Sequence, residues 1–181
     1  MAKTYNTIGT FTAGQVLTAA EMNEIGENSN NYRVPPTVRA VRTSDLTGYT
    51  SGAPITWQAE EWDTDAMWDS GDPTKIYFPT AGIYSISLKV RLACTATLTA
   101  MNLGAATDAL TSATTTYVCS FAADSTTNGF GVMHFLAGVD AGSYMTFGAF
   151  PKGGSSYAVK GYTSDRNDQS SLTATWIGQA S

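Results

Sequence analysis

The single histidine of the chain is the residue best suited to acid–base chemistry near neutral pH. His134 stands in GFGVMHFLAG, where a two-residue period places it on the same side as Phe130, Val132 and Leu136. General acid–base catalysis needs partner groups in reach, but the sequence has no Gly-x-Ser-x-Gly turn, no phosphate-binding glycine loop and no HExxH helix. We therefore expect a hydrogen-bonded histidine in a core or an interface, and we do not expect an enzyme.

Acidic side chains are concentrated in the stretch EEWDTDAMWDSGD, residues 60–72. Calcium is bound by several carboxylate and carbonyl oxygens on one loop, so Asp63, Asp65 and Asp69 are the candidate ligands. The stretch lacks the third alternate ligand, the glycine and the closing glutamate of the helix-loop-helix calcium pattern. The alternative is a solvated loop in which Asp side chains accept hydrogen bonds from nearby backbone N–H groups. We expect no cofactor.

Aromatic residues offer a second kind of binding chemistry, because sugar rings stack on exposed aromatic faces. The chain has nine tyrosines and four tryptophans, Trp57, Trp62, Trp68 and Trp176. Aromatic side chains also dominate the energetics of protein cores and interfaces. We therefore favour core or interface positions and keep a host-surface glycan as the alternative ligand.

Charge and composition argue against several classes of partner. The formal net charge is −5 and the ten Lys and Arg residues are scattered singly, so no basic stripe can follow a phosphate backbone. No stretch approaches the roughly 18 apolar residues of a membrane span, and the first residues lack the apolar segment of a secretion signal. Cys94 and Cys119 lie 25 residues apart without metal-ligand spacing. We expect no nucleic-acid partner, no membrane insertion and two free thiols.

Strands are the elements that must position these residues. Charged residues make up 14% of the chain, well below the roughly 25% of an average soluble domain. From Thr37 onward, short alternating stretches are separated by turn residues; in GIYSISLKVRL, for example, Tyr84, Ile86 and Leu88 face one way and the residues between them face the other. About ten such strands predict an all-β, antiparallel sandwich of the jelly-roll type. The Thr- and Ala-rich stretch 93–116 is expected to form loops and an edge.

Residues 1–36 differ from the rest because they hold the one convincing helix signal. Thr18-Ala19-Ala20-Glu21 is a capping box, and we predict a helix from about residue 19 to about residue 28, ended by NSNN and two prolines. A helix of about ten residues is marginal alone, so its apolar side must dock on something. We therefore divide the chain into an anchoring arm, residues 1–36, and a knob domain, residues 37–181. The expected anchoring residues are Phe11, Val16, Leu17, Met22 and Ile25.

The segment WQAEEWDTDAMWDSGDPTKIYFPTAGIYSI carries a spaced pattern: an aromatic residue, five residues, Asp, four residues, an aromatic residue, a gap, an apolar residue, five residues and Gly-x-Tyr-x-apolar. It resembles the signature of the complement-type globular heads in the TNF-like (tumour-necrosis-factor-like) jelly-roll superfamily, with one extra residue in the gap. The resemblance implies a TNF-like jelly roll and a homotrimer packed around a threefold axis through one apolar sheet face. It also implies that the fold motif and trimer core contain Trp57, Trp68, Ile76, Gly82, Tyr84 and Ile86.

The arm has a resemblance of its own. The string TFTAGQVLTAAEMN is similar to a segment near the N-termini of many tailed-bacteriophage virion proteins, in which a short arm and helix precede a fibre or knob. The two resemblances together imply a structural virion protein, assembled in the cytoplasm of a bacterial host: a decoration protein, a head fibre or a short tail appendage. Residues 1–36 would bind another virion protein of the capsid, neck or tail. The alternative is a receptor-binding or adhesin tip that recognises a host-surface glycan or protein.

Overall fold

The structure, a computed structural model, describes residues 10–107, 110, 116–122, 128–161 and 169–179. Within these residues the chain forms one helix, α1, and eleven strands, β1 to β11 in chain order. The described helix is neither long enough nor apolar enough to cross a membrane.

Helix α1 spans Ala19–Arg33 and begins at the predicted capping box. The Thr18 Oγ1 accepts the N–H of Glu21, and the Glu21 carboxylate accepts the N–H of Thr18 at 2.7 Å. The predicted end at about residue 28 is wrong, because the helix continues through NSNN. It stops where Val34 precedes Pro35, a position at which the proline ring disfavours the helical conformation.

Seven strands form the larger of two antiparallel sheets. Their bounds are β1 Thr37–Val41, β2 Leu46–Tyr49, β3 Ala59–Asp63, β5 Gly82–Ala93, β8 Asn128–Val139, β10 Tyr157–Val159 and β11 Ser171–Gly178. The sheet order is β2-β10-β5-β11-β1-β3, and β8 pairs with β5 along its whole length. In the described part of the chain β8 pairs with β5 alone, so β8 is an edge strand.

The smaller sheet has four strands in the order β4-β9-β6-β7, namely β4 Lys75–Phe78, β9 Ser143–Gly153, β6 Leu98–Ala106 and β7 Tyr117–Ala122. The edge position expected within residues 93–116 is wrong for β6, which lies inside this sheet between two partners. Met101, Leu103 and Ala105 alternate along it and are completely buried. That alternation, and not the Thr- and Ala-rich composition, decides the structure of the stretch.

The core lies between the inward faces of the two sheets, as the alternation in β5 predicts. Every second residue of β5 is completely buried, namely Tyr84, Ile86, Leu88, Val90 and Leu92. They belong to one apolar cluster with Met145 and Phe147 of β9 in the smaller sheet. Burial of a large apolar side chain stabilises a fold by about 1.5–3 kcal/mol, so β5 is a major source of the stability of the sandwich.

The segment ITWQAEEW, residues 55–62, has the composition of a strand, but β3 begins only at Ala59. The preceding residues are buried but do not join a sheet: the N–H of Ile55 donates to the Phe147 carbonyl at 2.7 Å, and the N–H of Trp57 donates to the Pro73 carbonyl at 2.8 Å. The apolar pattern therefore reflects burial of Ile55 and Trp57 in an irregular segment.

Candidate interaction surface

Edge strand β8 exposes a row of large apolar side chains. Phe130 and Val132 are each 43% exposed, and Leu136 is 56% exposed. Because successive side chains of a strand point to opposite faces, these three share the outer face of the larger sheet with His134, while Met133 points into the core. We call the row Phe130, Val132, His134 and Leu136 the β8 face.

His134 lies against the neighbouring strand β5. Its Nε2 atom is 2.9 Å from the Oγ of Ser85, so the predicted hydrogen bond is present. The side chain is exposed, which makes a core position wrong and leaves an interface as the remaining part of that prediction. Strands β5, β8 and β11 contain no Asp or Glu, so these strands offer no carboxylate to turn the His134–Ser85 pair into a nucleophile and base.

The outer face beside β8 is built from short polar side chains. Ser85 lies opposite Thr175, and Ser87 lies opposite Thr173, in the register of β5 with β11. Because these side chains are short, the surface beside β8 is flat, and the longer apolar side chains of β8 project beyond it.

Two basic side chains of β5 lie beside the end of the β8 face that contains Phe130 and Val132. In the register of β5 with β8, Lys89 lies opposite Val132 and Arg91 lies opposite Phe130. Both are half-buried on the outer face of β5. Two basic side chains therefore border the apolar area of the β8 face.

Trp62 occupies the far edge of the same sheet, on β3, and is 45% exposed. The guanidinium carbon of Arg39 lies 5.5 Å from the centre of the Trp62 ring, and the Arg39 Nε is 2.9 Å from the Glu61 carboxylate. A cation above an indole face is an attractive contact, so Arg39 holds Trp62 in place while leaving part of the ring accessible.

The other three tryptophans are structural. Trp57 and Trp176 are 1% and 2% exposed, and Trp68 is half-buried and packs against the core. The prediction that the tryptophans lie mainly in a core or interface is thus confirmed for these three, and Trp62 is the one left to stack on a ligand.

The anchoring residues predicted in the arm are mostly exposed. Phe11, Val16, Leu17 and Met22 are between 38% and 86% exposed, while Ile25 is half-buried. Residues 1–9 of the predicted arm lie outside the described residues. The described arm thus presents apolar side chains to its surroundings.

The C-terminal end of α1 is fixed to the sandwich. The ring of Tyr32 packs on Trp176 with centroids 5.4 Å apart, the Trp176 N–H donates to the Pro36 carbonyl at 2.8 Å, and the Thr64 hydroxyl donates to the Pro35 carbonyl at 3.0 Å. The arm therefore leaves the knob from a defined position.

The acidic stretch uses its carboxylates to order the backbone. The Asp63 side chain accepts the N–H groups of Asp65 and Trp68, and the Asp69 side chain accepts the N–H of Gly71. The described residues contain no group of three His, Cys, Asp or Glu side chains placed to hold a metal ion. Asp63 and Asp69 thus follow the alternative that the sequence offered, in which Asp side chains form turns.

Both cysteines are free thiols in the structure. Cys94 is buried and Cys119 is half-buried, and neither is in a disulfide. The Cys94 Sγ donates to the Ala96 carbonyl at 2.9 Å. Cys119 packs beside the apolar core.

The residues of the spaced motif lie inside a single copy of the chain. Trp57, Ile76, Tyr84 and Ile86 are at most 1% exposed, and Gly82 is also buried. These residues build the fold, and a contact between copies would have to use other side chains. The spaced motif does not include the β8 face. The sequence signal for this face is that both alternating sets of residues in GFGVMHFLAG contain large apolar side chains.

Comparisons with known proteins agree with the architecture. No protein-family model matches the chain, and no curated protein matches it in sequence. Among solved structures, the globular domain of zebrafish complement 1qA protein has a TM-score of 0.55 at 11% identity, covering 80% of this chain and 98% of that one. Eiger TNF from S. frugiperda has a TM-score of 0.55 at 10% identity, covering 81% and 96%.

Murine APRIL, in a crystal structure at pH 5.0, has a TM-score of 0.55 at 13% identity, covering 78% of this chain and 98% of that chain. At such low identity the likeness concerns the fold alone. The chain therefore has the TNF-like and complement-head jelly-roll architecture that its spaced motif predicted.

Proposed function

We propose that the chain is a non-enzymatic structural protein whose copies associate through the β8 face. The observation that carries the proposal is the exposure of Phe130, Val132 and Leu136 on a twelve-residue edge strand. An edge strand offers unpaired backbone groups as well as side chains, and native proteins cover or blunt such edges. Contiguous exposed apolar side chains mark surfaces that bind other proteins. A second copy of the chain supplies such a cover.

The number of copies that we propose is three. This rests on the resemblance of the Trp57–Ile86 motif to complement-type globular heads, which are usually homotrimers, and on the jelly-roll architecture found here. The low polar surface formed by Ser85, Ser87 and their neighbours on β11 allows close approach of another copy.

We further propose that the arm attaches the trimer to a larger particle, in the manner of a bacteriophage decoration protein, head fibre or short tail appendage. Support comes from the similarity of TFTAGQVLTAAEMN to virion-protein arms and from the exposure of Phe11, Val16, Leu17 and Met22. An extended segment with apolar side chains binds by adding a strand or by filling a groove, and both are common modes of peptide recognition.

Light scattering coupled to size-exclusion chromatography tests the association. At micromolar concentration the full chain is expected to have the mass of three copies. The double variant Val132→Asp, Leu136→Asp is expected to be monomeric, because it places charge in the buried contact. Val118→Asp is the matched control, since Val118 is 57% exposed on β7 of the other sheet. A monomeric wild-type chain would refute the proposal.

Binding to particles that lack the protein tests the arm. Removal of residues 1–31, which keeps Tyr32, Pro35 and Pro36 in contact with the sandwich, is expected to abolish binding and to leave the trimer intact. Met22→Asp is expected to weaken binding, whereas Asn23→Asp, which changes a neighbouring exposed residue of the same helix, is expected to have little effect. Full binding by the shortened chain would refute an anchoring role.

A second function, recognition of a host-surface glycan, is favoured by Trp62 alone. The exposed indole of Trp62 lies on the edge strand β3 and is held in place by Arg39 of β1. Such an indole can stack on a sugar ring. A glycan array of the wild type against Trp62→Ala decides the matter: binding that this substitution abolishes supports recognition, and silence across surface polysaccharides leaves the structural role alone.

A further inference from the structure

We infer that His134 makes the association of copies through the β8 face dependent on pH, so that copies associate when its imidazole is neutral and separate when it is protonated. The inference rests on the proposed function and assigns a control to the same surface. Its basis is the position of one ionisable group in the middle of an apolar row.

The position of His134 decides what happens to it on association. It stands between Val132 and Leu136 on one face of β8, so a partner that covers both apolar side chains also covers the imidazole. Transfer of a charged group out of water is costly unless an opposite charge accompanies it. A neutral imidazole is buried at much lower cost, because its hydrogen bond with the Ser85 Oγ at 2.9 Å is retained.

The carboxylates nearest to His134 in the described residues lie outside the three strands that surround it. The strand on which it lies, β8, and its neighbours across the outer face, β5 and β11, contain no Asp or Glu. Within these three strands, the basic side chains on the same face are those of Lys89 and Arg91 of β5. Further across the sheet, Arg39 of β1 is ion-paired with Glu61. Beyond the end of β8 stands Asp140, outside the strand. Strands β8, β5 and β11 therefore supply no carboxylate as a counter-charge for a protonated His134.

Protonation and association therefore compete for the same site. Histidine is the side chain that ordinarily changes charge between about pH 5 and pH 8. In a closed assembly each copy contributes one His134, so the effect is repeated at every contact. Mild acidification is then enough to release the copies from one another.

Sedimentation velocity of the full chain at pH 7.5 and pH 5.5, at constant ionic strength, tests the inference. The wild-type dissociation constant is expected to rise about tenfold or more at the lower pH, because protonated copies would have to bury a charge in order to associate. His134→Gln keeps a neutral partner for Ser85 and is expected to associate equally at both pH values. Val118→Ala, at an exposed residue of β7 in the other sheet, is the control that should retain the pH dependence of the wild type.

The outcomes separate this inference from the proposed function. Association of the wild type that is equal at pH 7.5 and pH 5.5, or pH dependence that persists in His134→Gln, overturns the role of His134 and leaves self-association standing. A monomeric wild type at pH 7.5 overturns self-association and the role of His134 together.

Discussion

The Nε1 atom of Trp176 lies only 2.3 Å from the position that a Cβ atom at residue 82 would occupy, so Gly82 is the one residue type that fits beneath this indole. The backbone of Gly82 has a φ of 144°, a value that L side chains rarely adopt. The Trp176 Nε1 donates to the Ala81 carbonyl at 3.1 Å, which joins the end of β11 to the turn before β5.

Gly82→Ala is expected to destabilise the knob by about 2–4 kcal/mol, because the added methyl group meets both the indole and the Gly178 carbonyl while the backbone stays strained. Gly138→Ala is the matched control: it lies in the paired strand β8, and a Cβ there meets nothing within 4 Å. Urea unfolding of the two variants checks the difference. Equal stabilities would show that the turn adjusts to the methyl group.

The capping box of α1 predicts how well the arm stays helical. Thr18→Ala removes the hydroxyl that accepts the Glu21 N–H and is expected to weaken the helix by about 1 kcal/mol. Hydrogen exchange of the amides of residues 21–25 should then be faster by roughly fivefold, since these are the first amides with acceptors in the cap or the helix. Ser29→Ala, an exposed change inside the same helix, is the control and should leave protection unchanged or raise it. Unchanged exchange in Thr18→Ala would show that packing on Trp176, not capping, holds α1.

The environment of Asp45 leads us to expect that the knob loses stability in acid. Burial raises the pKa of Asp45, but this is outweighed by hydrogen bonds from Lys160 and the Gly161 N–H and by the charges of Lys160 and Arg42, which together hold the pKa below its ordinary 3.8. A carboxylate with a lowered pKa stabilises the fold above its unfolded pKa, and the contribution disappears as the pH falls through the folded value.

Asp45→Asn is accordingly expected to cost about 0.5–1 kcal/mol at neutral pH, a range suited to a partly exposed ion pair. The difference from wild type should be constant above about pH 5 and shrink below pH 3.8. Denaturant titrations across this range measure it. A difference that did not change with pH would mean that the Asn amide disturbs packing and that charge is not involved.

Strand periodicity gives most of the fold from sequence alone. The alternation of Tyr84, Ile86 and Leu88 correctly predicts which side of β5 is buried, because one strand period decides every side chain at once. The capping box likewise gives the start of α1. The sequence does not give the end of α1 correctly. Asn and Ser are poor helix formers and therefore predict an early end. The helix nevertheless continues, because no proline interrupts it before residue 35.

The candidate site was less accessible to sequence reasoning. The motif residues Trp57 and Tyr84 are conspicuous because they are large, yet they fill the interior of one copy. The β8 face depends on β8 being the edge of the larger sheet, and edge position follows from strand order, which no local pattern encodes. His134 was correctly expected to be hydrogen-bonded, but its partner Ser85 lies 49 positions away and becomes a neighbour only through sheet pairing.

The environment of Tyr49 leads us to expect that the knob loses stability in alkali. Its hydroxyl donates to the Ala53 carbonyl and accepts the Ala149 N–H at 2.9 Å, which joins the turn after β2 to strand β9. Burial raises the pKa of Tyr49 to about 12. A group whose pKa is raised on folding contributes stability that is fully present below its unfolded pKa of 10.0 and is lost as the pH rises through the folded value.

Tyr49→Phe leaves the Ala53 carbonyl and the Ala149 N–H without this hydroxyl, and is expected to cost about 1–3 kcal/mol at neutral pH. Because Phe cannot ionise, the gap between wild type and variant should be constant to about pH 10 and then narrow as the pH rises toward 12. Tyr157→Phe, at a half-buried hydroxyl bonded to the Gly153 carbonyl, is the control and should cost less. Urea unfolding between about pH 8 and pH 11 decides the point, since a gap that did not narrow would mean that Tyr49 ionises as readily in the folded chain as in the unfolded one.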